Sequence, residues 1–373
     1  MKKQGYPRVE INLEYLKHNV EYVVGKCAEK GIQVAGVIKG TTGIPQCVKQ
    51  FADGGVKYIA SSRLEQLQDA KDFGIEKPLM LIRIPMLSEI EDVIRLTDLS
   101  LNSELEVLEA LNAEAGKQGK KHKVILMADL GDLREGFWDK EEMAAVAVRV
   151  EKEMDNLELA GVGTNVGCYG SILATEEKLD ELVAIAEKIE ECIGRRLEFI
   201  SGGATSSFMR VIDGDIPERV NFLRIGEGIL LARDLELFYG YDMSEMHQDV
   251  YTLKAEVIEV KDKPSHPVGE IAVDAFGHTP EYVDRGIRRR ALLAIGKVDY
   301  GSIDEIFPQD EGVEILGASS DHTILDIEDA KRDFKVGDIV SFGINYASVV
   351  YVTNCRNVQI VYNTLPNKQE ASC

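Results

Sequence analysis

Between residue 33 and about residue 230 the chain alternates short apolar runs with longer amphipathic stretches. The runs at 33–38, 57–60, 78–82, 98–101, 123–128, 157–162, 197–200 and 221–225 are short and almost wholly apolar. That is the pattern of parallel strands covered on both faces. The stretches between them, such as 62–73, 103–118, 139–153 and 175–193, mix charged and apolar positions at helical spacing. Eight strands, each followed by a helix, predict an α/β chain built as a (β/α)8 TIM barrel. An open doubly wound sheet would want a glycine-rich turn after its first strand, and no GxGxxG stands there. Ahead of the barrel, residues 8–12 alternate like a strand and 13–30 read as an amphipathic helix.

After about residue 240 the pattern changes. Segments 250–260, 270–275, 291–298, 323–327, 338–343 and 348–362 are β-rich, with turn signals such as Lys263-Pro264 and Val336-Gly337-Asp338 between them. The expected organisation is a barrel over residues 1–240 and a C-terminal all-β domain over 241–373. A chain of 373 residues exceeds what one hydrophobic core usually supports.

Charge and cysteines narrow the function. A net charge of -21 argues against nucleic acid as a partner. No apolar run approaches the roughly 20 residues of a membrane span, so no membrane partner is expected. The six cysteines, Cys27, Cys47, Cys168, Cys192, Cys355 and Cys373, show no CxxC spacing, and the histidines form no HxxxH pair. Reduced thiols, a cytoplasmic location and no metal site follow as expectations.

Candidate chemistry gathers at the carboxyl ends of the barrel strands, where such folds place their ligands. Val34-Ala35-Gly36-Val37-Ile38-Lys39 is a buried-strand run that ends in a lysine, and an amine there can form an imine with a carbonyl. Later strand ends carry Asp129 through Gly136 (DLGDLREG), Gly163-Thr164-Asn165, Gly203-Ala204-Thr205-Ser206-Ser207 and Arg224-Ile225-Gly226-Glu227-Gly228. A phosphate is held by backbone N–H groups, hydroxyls and a helix amino terminus. Gly203, Thr205 and Ser206, leading into a helix after strand seven, offer all three, and Gly226 and Glu227 add backbone donors.

These features, in this order, resemble the fold-type III pyridoxal-phosphate enzymes of the alanine racemase family, with the nearest likeness to its alanine/ornithine racemase branch. The resemblance spans essentially the whole chain. It implies pyridoxal 5'-phosphate as cofactor, with Lys39 as the lysine joined to it. The 129–136 segment is similar to the family's D-T-G-M-G-R-x-G loop and places Arg134 near the cofactor's phenolic oxygen and the substrate carboxylate. Asn165 stands where the family has a histidine at the end of strand six. Arg224 matches the arginine facing the pyridine nitrogen, and Tyr346, in Asn345-Tyr346, the tyrosine reaching the phosphate. An arginine keeps its proton, so it leaves that nitrogen unprotonated, weakens the ring as an electron sink and favours prompt reprotonation at Cα.

The resemblance has departures. A tyrosine four residues after the lysine is Gly43, and an often carbamylated lysine is Met127. The glycine-tyrosine-x-aspartate motif, source of the opposite-face base from a partner subunit, becomes Gly296-Lys297-Val298-Asp299-Tyr300-Gly301. Ungapped alignment selects Lys297 as the second base, and a one-residue insertion selects Tyr300. If the segment is a strand, Lys297 and Asp299 share a face and Tyr300 takes the other. The basic run Arg288-Arg289-Arg290 reads as a solvated strand lead-in, and Cys168 as an ordinary small residue.

The expected activity is therefore pyridoxal-phosphate racemisation of an amino acid, ornithine by branch resemblance, with one base on each face of the substrate and a homodimer completing each site. Asp299, Asp321 and Glu227 are the candidate carboxylates for a distal ammonium. The alternatives are an alanine or broad-specificity racemase, a non-catalytic pyridoxal-phosphate homeostasis protein, and a barrel aldolase working without cofactor. The homeostasis proteins are single barrels, so the β-rich tail argues against that reading. Visible absorbance bleached by borohydride separates an aldolase from the rest.

Overall fold

A computed structural model gives the fold and describes residues 5–273, 277, 279 and 281–363. Cys373 and positions 274–275 of one expected β segment lie outside the described residues. The chain divides into two compact units, Glu14–His247 and Met1–Leu13 with Gln248–Cys373.

The strands run β1 Arg8–Asn12, β2 Gln33–Val37, β3 Tyr58–Ser61, β4 Leu79–Leu81, β5 Leu99–Asn102, β6 His122–Ala128, β7 Leu157–Thr164, β8 Phe199–Ser201, β9 Phe222–Ile225, β10 Tyr251–Pro264, β11 Ile287–Leu293, β12 Ile306–Pro308, β13 Glu314–Ala318, β14 Thr323–Asp326, β15 Ile339–Ile344 and β16 Gln359–Asn363. The helices are α1 Leu13–Ala28, α2 Pro45–Asp53, α3 Leu64–Asp72, α4 Ile90–Leu96, α5 Leu105–Lys117, α6 Lys140–Glu153, α7 Glu176–Ile193, α8 Thr205–Asp213, α9 Glu227–Leu230, α10 Arg233–Tyr239, α11 Lys297–Tyr300 and α12 Tyr346–Asn354.

In the first unit β2 through β9 form a closed barrel, parallel throughout. Closure is made by β2 against β9, with Val34 opposite Leu223 and Gly36 opposite Ile225. All eight strands expected from the apolar runs are present. Side chains fill the interior in layers, among them Ala35, Tyr58, Met80, Leu101, Met127, Phe199 and Phe222. Phe199 and Phe222 lie 4.6 Å apart between ring centres, and Tyr58 meets both edge-on. A barrel so filled has no channel, and ligands are left to its rim.

In the second unit the strand order is β12-β15-β10-β11-β14-β13, with β1 joined to β10 and β16. Placing residues 1–240 in one domain is corrected on this point. β1 pairs antiparallel with β10, Arg8 facing Lys254, and parallel with β16, so the opening strand belongs to the β unit. The boundary falls after His247 and not at 240.

Three expected strands are also corrected, the first being 270–275, whose described residues 270–273 form no strand. Segment 348–362 folds as α12 followed by β16. Its β-branched residues favour a strand locally, but Ser348, Val349, Val352 and Thr353 are buried at helical spacing, and tertiary burial overrides propensity. Segment 291–298 is strand only to Leu293 and then turns into α11, because the Asp299 carboxylate accepts the Gly296 N–H at 3.0 Å and closes a helical turn. The arginine run lies within β11, where Arg288 pairs with Asp326 and Asp329.

Candidate active site

After β2 the chain tightens. Thr41 donates its N–H and its hydroxyl to the Ile38 carbonyl, and a 3-10 turn over Lys39–Thr41 results. Lys39 is therefore delivered at the carboxyl end of a central barrel strand. Its side chain is exposed to water, yet surrounding protein replaces part of its hydration. That desolvation lowers its pKa. The charges acting most strongly on the amine come next: Cys168 raises the pKa, Arg134 lowers it, Glu135 raises it and Arg224 lowers it. The charges of Arg134 and Arg224 thus both act on the Lys39 amine.

Arg224 is buried at 4% exposure. It donates to the Ser201 hydroxyl and, at 2.8 Å, to the Thr164 carbonyl. Burial pushes its pKa down to about 10, so the guanidinium stays charged at neutral pH. Asn165 follows directly, and its amide nitrogen is buried without a hydrogen-bond partner. An unpaired donor in that position suits an acceptor supplied by a ligand.

The loop after β6 is folded back on its strand end. Phe137 donates to the Met127 carbonyl at 2.8 Å, Asp129 donates to Phe137 at 3.1 Å, and the Asp129 carboxylate accepts the Gly131 and Leu133 N–H groups. Arg134 projects from this loop. Its guanidinium grips Glu135 through two nitrogens and reaches Cys168 Sγ at 2.9 Å. Glu135 and Cys168 are the site residues that sequence reasoning missed. Glu135 occupies the variable position of the arginine loop, and its place beside Arg134 was the available signal.

The glycine and hydroxyl segment behaves as a cradle. Gly203 has a φ of +122°, and α8 begins at Thr205 with no side chain capping it. Thr205 Oγ1 accepts the Gly228 N–H at 3.0 Å, which ties this turn to the Gly226-Glu227-Gly228 turn. Ser206 donates to the Val166 carbonyl at 2.7 Å. The amino terminus of α8, which has no side-chain cap, fits a phosphate. Glu227 points elsewhere: one carboxylate oxygen accepts the Arg233 and Asp234 N–H groups, and the other is buried unpaired. Burial and the charge of Asp234 push its pKa up to about 7.

The remaining expected residues lie in the β unit. Lys297 is half-buried at the start of α11, and its N–H donates to the Ser319 carbonyl at 3.0 Å. The turn carrying exposed Asp321 therefore runs beside it. Tyr346 is half-buried and opens α12.

Two expectations are corrected. Tyr300 is fully buried, bonded to Thr323 Oγ1 at 2.8 Å, and burial pushes its pKa up to about 12, so it is placed as a core tyrosine and not as a base. Asp299 is 5% exposed and spends its oxygens on Gly296, Cys355 and Asn357, which leaves it no free face for a substrate ammonium. The strand-parity argument fails with them, because 297–300 is a helical turn.

Comparison with known proteins supports the fold and gives the family. Residues 11–234 match the family model described as alanine racemase, N-terminal domain. The chain is 42% identical over 345 residues to the ornithine racemase of Acetoanaerobium sticklandii, covering 92% of this chain and 96% of that protein. It is 38% identical over 357 residues to the lysine racemase of Thermotoga maritima, covering 96% and 98%. Among solved structures, alanine racemase from Clostridium difficile superposes with a TM-score of 0.72 at 20% identity, covering 97% of each chain. The Streptomyces lavendulae enzyme gives 0.75 at 18%, covering 97% and 98%. A closed eight-stranded barrel and a β-rich second unit thus accompany a match over more than half the sequence, and the chain belongs to the alanine racemase family.

Proposed function

We propose that this protein racemises ornithine with pyridoxal 5'-phosphate as cofactor. The observation that carries the reading is the desolvated Lys39 amine at the barrel rim, flanked by Arg134 and Arg224. The names of its relatives, which act on ornithine and lysine, supply the substrate class. The residues fit the cofactor: a nucleophilic amine, an unpaired Asn165 donor, a buried cation and an uncapped helix start. Lys39, Arg134, Asn165, Gly203, Thr205, Ser206, Arg224, Gly226 and Glu227 would hold it, Glu227 through its backbone.

When bound, pyridoxal phosphate supplies an aldehyde for the amine and an electron-withdrawing ring that acidifies the substrate Cα–H. Lys39 takes or returns that proton on one face. Inversion needs a second donor on the opposite face, and Lys297 of a second copy is our choice for it. Arg134 orients the substrate carboxylate as a planar, two-pronged donor. Arg224 keeps a fixed positive charge and gives up no proton. A homodimer follows if each site borrows its neighbour's lysine. Cytoplasmic residence accords with five free cysteines; among the described residues no helix is long and apolar enough to cross a membrane.

Solvent deuterium exchange at Cα, measured with L-ornithine and L-alanine on wild type and Lys39→Ala, tests the reading. Exchange with ornithine should exceed that with alanine and vanish in the variant. A Lys39→Ala protein that still bound the cofactor covalently and exchanged at the wild-type rate would overturn it.

A further inference from the structure

Three carboxylates in the loops after β6 and β9 are spent on backbone. Asp129 is bound to the Gly131 and Leu133 N–H groups. Asp132 is bound to those of Cys168 and Tyr169. Glu227 holds those of Arg233 and Asp234. Glu135 is different. Its partner is the Arg134 side chain, a flexible cation on the same loop. Both are partly open to water, at 37% for Arg134 and 17% for Glu135. Glu135 is also the carboxylate whose charge acts on both the Lys39 amine and the buried Arg224 guanidinium.

We propose that Glu135 is the specificity residue, and that the Arg134–Glu135 pair opens to receive an amino acid carrying a distal ammonium. The inference rests on the racemase reading of this site. A half-exposed ion pair between long side chains is weakly held, so opening it is cheap. A basic amino acid replaces each lost charge with an equivalent one: its α-carboxylate takes the Arg134 guanidinium and its ammonium takes Glu135. A neutral amino acid engages Arg134 alone and leaves Glu135 partly buried without a cation. Selection therefore works by penalty as well as by attraction. The same charges stay balanced in the resting protein, which keeps the arginine from being stranded beside Lys39.

The experiment compares L-ornithine with L-norvaline, which differs by the terminal amine alone, on holoenzyme. Wild type and Glu135→Gln are assayed for kcat and KM, and binding of both ligands is measured by calorimetry. The variant should lose about 10- to 100-fold in kcat/KM for ornithine, chiefly through KM and the dissociation constant, and markedly less for norvaline. Equal losses on both ligands would reduce Glu135 to a positioning residue for Arg134 and overturn the proposal, as would an unchanged preference. Wild type tests it without any substitution: its preference for ornithine in binding should shrink as salt rises, and a salt-independent ratio overturns it. Wild-type enzyme that turned over no basic amino acid would instead sink the functional reading, and this one with it.

Discussion

Asp132 accepts the Tyr169 N–H at 2.9 Å, so one buried carboxylate of the loop after β6 anchors the loop after β7. Cys168 and Ile172 donate to the same group, at 3.2 and 3.5 Å. This clamp sets Cys168 against Arg134. Burial alone would raise the Asp132 pKa, but the N–H donors of Cys168, Tyr169, Gly170 and Ile172 outweigh it, and the net shift is downward. A depressed carboxylate pKa contributes stability above the unfolded value, near 3.8, and loses it as pH falls through the folded one. Asp132→Asn should lower stability at neutral pH by about 1–3 kcal/mol and flatten its acid dependence, as read from urea denaturation between about pH 3 and 7.

Lys39 should become reactive at lower pH than a free lysine. Desolvation lowers its pKa, and Glu135 opposes that by favouring the ammonium. Covalent loading of pyridoxal phosphate, followed by absorbance, should therefore rise with pH around a midpoint below 10.5. In Glu135→Gln, with the stabilising negative charge gone, the midpoint should move lower still. A midpoint moving upward would contradict the placement of Glu135.

Tyr300 and Lys297 should separate cleanly. Tyr300→Phe removes the bond to Thr323 and should cost about 0.5–1.5 kcal/mol of stability while leaving racemisation within a few-fold of wild type. Lys297→Met should cost at least about 100-fold in turnover. It should also slow Cα proton exchange for one enantiomer far more than for the other, measured in heavy water. A strong, enantiomer-selective defect in Tyr300→Phe would reverse the assignment.

Gly136 closes the arginine loop at a φ of +135°, and an added Cβ would lie 2.4 Å from the Asp129 backbone nitrogen. Neither the conformation nor the space admits a side chain. Gly136→Ala should destabilise the protein by about 2 kcal/mol or more and raise KM through a displaced Arg134, by thermal melting and steady-state kinetics.

The barrel was legible because strands buried on both faces carry their environment in composition: Val34 to Ile38 is apolar at every position. The positions of Lys39 and Arg224 were legible because each stands at the end of an apolar strand run, while Arg134 was singled out by likeness to a family loop. Glu135 was not, since its meaning depends on the loop folding back so that Arg134 turns onto it and Cys168, 34 residues later, arrives alongside. Tyr300 misled for a related reason. A tyrosine in a motif announces chemistry, while its burial against Thr323 is decided by a strand 23 residues away. In α12, Val349 and Val352 speak for a strand, and only the core they enter makes them helical.

β10 is the spine of the second unit, with β1 and β15 on its first half and β11 on its second. β1 thus has neighbours encoded more than 200 residues downstream. Barrel strands meet partners only a few dozen positions away, apart from the closing β2–β9 seam. During synthesis residues 8–12 must wait as an unmatched edge while the barrel's repeats condense, and they find their place when β10 and β16 appear. β1 is made well before the partners that seat it.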